Sequence, residues 1–357
     1  MKKIRIQLNI PFCVHQCSYC VQPHCRYDAS YMHAYAEAMM REIETYRDEF
    51  DDYLVDAVCI DGGSPALLPA GDLAEVIWLL KDVFHFSENA FISVYTMPGE
   101  YSRAFLDRMR DSGVNFYIVS IPTTQESLHN LLSRPYSLDA ITMADTAIRN
   151  FRMRDLSFEL MYGIPGQTVN HVVTDLKKIL EYQPEHVTLY PLIMHSSSMI
   201  AQHCTPVSTA DRIQQFKHAK ELLEEKGYYQ YTSCDFALPG KENRYHLLQD
   251  ETIEQIGIGY RAHSILDGVQ YYNGPDINTY IQYSDNPSVI TCEACRLGQD
   301  DLQRFKDIHD LHRLKRISSV YPEMERSGYI VDGRLSVEGM CEMAQVEKNI
   351  LRQKKKF

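Results

Sequence analysis

Cys13-Val-His-Gln-Cys17-Ser-Tyr-Cys20 sets three thiols at spacings of four and three residues in one short loop. Thiols so close in sequence can converge on one metal centre. Three ligands leave one corner of a four-iron cluster open for a substrate, whereas closed structural zinc sites take four. The spacing points to a 4Fe-4S cluster on Cys13, Cys17 and Cys20. The alternative is a zinc knuckle completed by His24 or Cys25. The remaining cysteines, Cys59, Cys204, Cys234, Cys292, Cys295 and Cys341, are scattered, which argues for metal or redox use of the clustered ones rather than a disulfide framework. Cys292-Glu-Ala-Cys295 is a lone pair with no second pair nearby and reads as structural. Asp61-Gly62-Gly63-Ser64-Pro65 is a second stretch of interest, because paired glycines let backbone carbonyls approach a ligand closely. Its plainer reading is a turn between strand and helix.

These loops need elements to position them. Residues 4–9 alternate apolar and polar and predict a strand leading straight into the cysteine loop. Residues 28–48 predict a helix with Tyr31, Tyr35, Ala38, Met39, Ile43 and Tyr46 on one face. Strand 55–60 ends at Asp61, and Asp72 with Glu75 reads as a capping box opening the next helix. The alternation continues: strand 91–95 and helix 101–111; strand 115–121 and helices near 124–132 and 138–150; strand 156–160 and helix 169–182; strand 186–190 and helix 209–226. Six strand–helix units predict an α/β fold, a partial parallel TIM-like barrel whose chemistry sits at the C-terminal ends of its strands. After residue 228 the alternation weakens. Residues 228–232 look like a strand, 237–275 are rich in loop and glycine signals, and 300–340 read as short helices followed by a turn at Asp332-Gly333. The expected division is a barrel over 1–227 and a small accessory region over 228–357 that closes its mouth.

Composition narrows the partners. The 357 residues are 45% hydrophobic and 24% charged, enough for a large core, and the formal net charge is -12. That balance argues against broad binding to nucleic acid phosphates. No apolar run reaches membrane-spanning length, and the N-terminal residues hold no signal-peptide core, so the sequence predicts a cytoplasmic protein with no membrane partner.

The cysteine spacing after a first strand resembles the signature of the radical S-adenosylmethionine (radical SAM) superfamily. Asn9-Ile-Pro-Phe-Cys13, Gly62-Gly-Ser-Pro65, Tyr162-Gly-Ile-Pro-Gly-Gln-Thr168 and Gly257-Ile-Gly-Tyr-Arg-Ala-His-Ser264 resemble one branch of it. That branch holds oxygen-independent coproporphyrinogen III dehydrogenase, the haem chaperone, anaerobic haem-opening enzymes and the two-SAM (class C) methyltransferases and cyclopropanases. The resemblance implies an oxygen-sensitive cluster and SAM, bound through its amino and carboxylate groups to the open iron and cleaved by one electron to a 5′-deoxyadenosyl radical. It also implies a one-electron donor such as flavodoxin or ferredoxin.

The resemblance further implies cofactor contacts for Tyr19, Gly62, Gly63 and Ser64, for Arg134 (toward the SAM carboxylate), and for Glu159 and Gly163. Tyr95 stands where the family has a glutamate for the SAM ribose. Pro122 ends Ser120-Ile121-Pro122 where the family has Gly-Val-Gln. Gln22 stands where the coproporphyrinogen enzymes carry a fourth cysteine. These departures suggest a reshaped pocket and weigh against the coproporphyrinogen activity.

Among the histidines His15, His24, His195, His203, His246 and His263, the last, with Tyr260, belongs to the glycine motif and is the expected base. Tyr190, Tyr228, Tyr229 and Tyr231 could line a pocket for a flat, conjugated small-molecule substrate, or simply pack in the core. The first expectation for function is methyl or methylene transfer to an sp² carbon using two SAM molecules. The alternatives are tetrapyrrole chemistry (porphyrinogen decarboxylation or haem opening) and a haem chaperone without turnover.

Overall fold

Ile4, Ile6, Leu8 and Ile10 are fully buried along β1 (Lys2–Ile10). Much of the opposite face is buried too, as a strand with parallel neighbours on both sides requires. The structure is a computed structural model and describes residues 1–134, 136, 139–142, 155–248 and 254–352. From β1 the sheet continues in sequence order through β2 (Tyr53–Gly62), β3 (Phe86–Thr96), β4 (Phe116–Ser120), β5 (Asp155–Tyr162) and β6 (His186–Pro191), every neighbour parallel.

Helices cross between the strands. α1 (Ala29–Glu44) is N-capped by Asp28, whose side chain accepts from the Ser30 amide, and buries Met32, Tyr35, Met39 and Ile43. α2 (Ala70–Val83), α3 (Arg103–Ser112), α4 (Glu126–Leu131), α5 (Val169–Leu180) and α6 (Thr209–Glu225) follow. α2 starts earlier than expected: the cap position is Pro69, and Asp72 lies in the first turn, where its carboxylate meets His33 Nδ1 at 3.0 Å. The helix expected over 138–150 lies largely outside the described residues.

The sheet is wider than six strands. Among the described residues its order is β12-β11-β10-β9-β1-β2-β3-β4-β5-β6-β8-β7, with β7 (Tyr229–Gln230), β8 (Asp235–Ala237), β9 (Gln255–Ile258), β10 (His263–Leu266), β11 (Val269–Asn273) and β12 (Thr291–Arg296). It is an open, mostly parallel sheet, a partial barrel. The expected strand 228–232 shrinks to β7, a two-residue edge. The glycine-rich stretch expected as loop instead contributes β9, which pairs parallel with β1. The reason is visible at Gly257. A Cβ there would lie 2.5 Å from the carbonyl oxygen of His263, so the glycine admits the neighbouring backbone rather than making a turn.

A second, smaller core forms around Leu311, Met324, Met343, Val346 and Ile350. It joins α7 (Gln299–His312), α8 (Met343–Arg352) and a ribbon of Ile330–Val331 against Arg334–Leu335. The ribbon turns at Asp332-Gly333, as expected. Among the described residues no helix is long and apolar enough to cross a membrane.

Candidate active site

The cysteine loop leaves the C-terminal end of β1 and is pinned at several points. Phe12–Cys13 pairs with Cys25–Arg26, the Ser18 amide donates to the Leu132 carbonyl at 3.0 Å, and the Ile200 amide donates to the Ser18 carbonyl at 2.9 Å. Cys13, Cys17 and Cys20 face a common cavity of about 570 Å³ at the strand ends. Burial, with repulsion from Cys17 and Cys20, pushes the Cys13 thiol up to about 12, so the three sulfurs feel one another.

Gly63 leaves room for a group held there. A Cβ on it would lie 2.3 Å from the Phe12 carbonyl oxygen and 2.8 Å from Cys13 Sγ. The bare backbone is what lets the Gly62-Gly63 turn lie against the cysteine loop, and both glycines line the cavity. Among the described residues no three His, Cys, Asp or Glu groups are gathered tightly enough for a single metal ion. A cluster asks less, since each thiolate binds its own iron. The zinc alternative loses one of its candidates, because Cys25 lines a different hollow with Phe12 and Tyr31. The donors therefore fit a cluster held by Cys13, Cys17 and Cys20.

Arg134 is buried beside this loop. Its guanidinium donates to Tyr19 Oη at 3.1 Å, to Cys17 Sγ at 3.5 Å and to the Ser120 carbonyl at 3.2 Å. Burial works against its charge, but Tyr19 and Cys17 more than offset that, and its pKa is raised. A fixed cation here suits a carboxylate ligand.

Tyr95 and Glu159 line the same cavity. Burial lifts the Glu159 carboxyl to about 7, against hydrogen bonds from the Tyr95 and Ser120 hydroxyls that favour its ionised form. The Tyr95 hydroxyl is therefore engaged by a protein carboxylate rather than left open toward a ribose. His263 also lines the cavity, its ring 4.9 Å from that of Tyr272. Burial and Arg5 both lower its pKa, which favours the neutral imidazole.

Three expected contacts are not on this wall. Ser64 is fully buried, and its hydroxyl donates to Glu100. Gly163 lines a second cavity, and its amide donates to Gln215 Oε1 at 2.8 Å. Tyr260 does not line the cluster cavity; its ring lies over Gly274. Of the four tyrosines expected to line a pocket, Tyr190 does. Tyr228 and Tyr231 are buried against Pro184 and His186, and Tyr229 is exposed at the edge.

Sequence reasoning passed over Asp61 as a side chain, although it closes β2 directly before the glycine pair and lines the cavity. It also passed over Gln7 and Thr188 on the cavity floor. The alternation of β1 and β6 was the available signal. Gln22, in place of a fourth cysteine, faces the cavity. Cys292 sits near Arg261, with Sγ 3.7 Å from Nη1.

The second cavity, about 790 Å³, lies between the end of β6 and the small C-terminal core. Tyr190 is a wall of both cavities.

Residues 10–179 match the model of the Radical SAM superfamily. The haem chaperone HemW of Lactococcus lactis is 25% identical over 291 residues, covering 80% of this chain and 76% of that protein. The oxygen-independent coproporphyrinogen III oxidase of Paracoccus denitrificans is 26% identical over 247 residues, covering 66% and 54%. Among solved structures, coproporphyrinogen III oxidase (HemN) from Escherichia coli superposes with a TM-score of 0.81 at 18% identity, over 98% of this chain and 90% of that one.

Proposed function

We propose that this chain, whose residues 10–179 match the model of the Radical SAM superfamily, handles a tetrapyrrole beside SAM. The observation that carries this reading is the shared wall at Tyr190. On its other side lies a second cavity of about 790 Å³, a size suited to a large organic ligand. The names of the relatives, haem chaperone and coproporphyrinogen oxidase, supply the ligand class. The expectation of methyl or methylene transfer with two SAM molecules draws no support from these relatives, and the tetrapyrrole reading takes its place.

A cluster and SAM bound in this site would supply one-electron chemistry. The chain's own residues do the rest. Cys13, Cys17 and Cys20 would hold the cluster. Arg134 places a positive charge beside Tyr19 and Cys17, where an anionic end of a ligand is drawn in. Glu159, with a carboxyl at about 7, is poised to hold or release a proton near neutral pH. His263, on the same cavity, is a neutral acceptor.

The test is a titration of anaerobic, cluster-loaded protein with haem and with coproporphyrinogen, followed by absorbance and by 5′-deoxyadenosine release. Saturable binding of a tetrapyrrole near one equivalent is expected. Release of 5′-deoxyadenosine in step with its conversion identifies an enzyme; retention without conversion identifies a carrier. Absence of saturable binding to either ligand contradicts the proposal. Transfer of deuterium from methyl-labelled SAM into 5′-deoxyadenosine would return methyl transfer in its place.

A further inference from the structure

Cys292 and Cys295 form a sequence motif that the cluster site leaves unused. In a regular strand, residues three apart point to opposite faces and lie about 10 Å apart, too far for joint chemistry. β12 is not regular there. Cys292 stands opposite Tyr272 and Cys295 opposite Gln270, so three steps on β12 answer two on β11. The extra residue makes a β-bulge, and Glu293 at its start takes a left-handed backbone, φ +55°. Gln270 and Tyr272, two apart, share one face of the sheet, and cross-strand partners share a face as well. The bulge therefore turns both thiols to the same face. Two strand steps span about 6.8 Å, the upper end of the roughly 4.4–6.8 Å between Cα atoms that a disulfide bridges.

The surroundings suit a reactive pair. Cys295 is exposed and Cys292 is partly buried, so neither serves the core. β12 is the outermost strand on its side of the sheet, and its bulge can tighten without moving a second neighbour. Arg261 braces the bulge. Its guanidinium lies 3.7 Å from Cys292 Sγ, donates to Glu293 Oε1 at 2.6 Å and sits 5.0 Å from the centre of the Tyr272 ring. Arg261 itself holds φ +60°, so both partners of this ion pair keep a backbone that non-glycine residues seldom adopt. A cation beside a sulfur favours its thiolate, while burial works the other way and raises the Cys292 pKa. Arg261 and Tyr272 also line the cluster cavity, which places the pair beside its wall.

We propose that Cys292 and Cys295 form a reversible dithiol–disulfide site that reacts with low-molecular-weight disulfides. The exposed Cys295 thiolate attacks one sulfur of the small disulfide, whose S–S bond breaks and releases one thiolate. The Cys292 thiolate then attacks the Cys295 sulfur, and the second small thiolate leaves. The two cysteines lose two electrons and two protons, and the small disulfide gains them as two thiols. The inference depends on neither the SAM nor the tetrapyrrole reading.

Residues 262–296 follow Arg261 and end at Arg296, with both cysteines, no other cysteine and no internal lysine or arginine, so trypsin releases the pair on one peptide. Reconstituted anaerobic protein is equilibrated with glutathione at ratios from fully reduced to fully oxidised, alkylated under denaturing conditions and digested. Mass spectrometry of this peptide is expected to show two alkyl groups at the reduced end. At the oxidised end it should carry none and be lighter than the free dithiol by two hydrogens, and dithiothreitol should restore the first form. Cys292→Ser is expected to stop at one glutathione on Cys295, and Cys295→Ser to form no internal bond. Two alkylated thiols at every ratio overturn the proposal. So does wild type that keeps glutathione on Cys295 without closing the bond, or that links either cysteine to one elsewhere in the chain. The peptide excludes the cluster loop, so the result stands whatever metal Cys13, Cys17 and Cys20 hold.

Discussion

Asp235, on β8 opposite Thr188 of β6, stays ionised despite full burial. His246 stands 3.1 Å away, and Thr188 and Thr232 donate to its oxygens at 2.7 and 2.8 Å. His186, next to it, goes the other way. Burial pushes its pKa down to about 4, while its ring nitrogens meet Ser157 Oγ and Tyr231 Oη, each at 2.7 Å. A base whose folded pKa is depressed is neutral in the fold and takes up its proton first in the unfolded chain. Its contribution is intact above the unfolded value near 6.5 and is lost as pH falls toward 4. We expect wild type to lose about 3 kcal/mol more than His186→Gln between pH 7 and pH 4, read by denaturant unfolding at each pH. Parallel losses would mean that His186 is already charged in the folded protein. Nothing in the sequence marks His186 or Asp235 out. Each is one polar residue in a strand, and their meeting depends on the antiparallel register of β8 on β6. The cysteine motif was legible because its three ligands are local, and Arg134 was placed only through the family pattern.

The element that sequence periodicity misses most is β9 with the hairpin that follows it. It is held by contacts that no local pattern reveals. Glu42, on the buried face of α1, accepts from Tyr280 Oη at 2.5 Å, from the Gly259 amide at 3.0 Å and from Asn273 Nδ2. Tyr35 Oη donates to the Asn9 carbonyl at 2.7 Å and accepts from the Tyr260 amide at 2.9 Å. One helix thus fastens the segment carrying His263 to β1. A buried acid on a helix face looks like a misplaced surface residue until its partners, more than 200 positions away, are in view. Glu42→Ala leaves Tyr280 Oη and the Gly259 amide without an acceptor and takes one of two from Asn273 Nδ2, which still donates to the Gly257 carbonyl, and is expected to cost about 3 kcal/mol. Glu42→Gln, which keeps the volume and one acceptor, should cost less. Denaturant unfolding gives the two values, and amide exchange should quicken at Gly259 and Asn273 first in the alanine variant. An alanine variant as stable as wild type would show that the network does not hold this segment. The six strand–helix units, by contrast, were readable from periodicity and stops such as Gly113, which adopts φ +96° as a helix C-cap.

At the scale of the molecule, an open, mostly parallel sheet carries the cluster loop on its first strand and gathers Asp61, Tyr95 and Glu159 from later strands. We propose that the region from 228 onward closes the mouth, since the second cavity lies against its small core. We propose that Cys13, Cys17 and Cys20 hold a cluster with an open corner at which SAM is cleaved. The direct measurement is anaerobic reconstitution of wild type and of the Cys13→Ala, Cys17→Ala, Cys20→Ala triple variant, each then given SAM and a strong one-electron reductant. Wild type is predicted to hold about four irons per chain and to release 5′-deoxyadenosine, while the variant holds no cluster and releases none. Stoichiometric zinc in wild type, or a full cluster that leaves SAM intact under reduction, would contradict it.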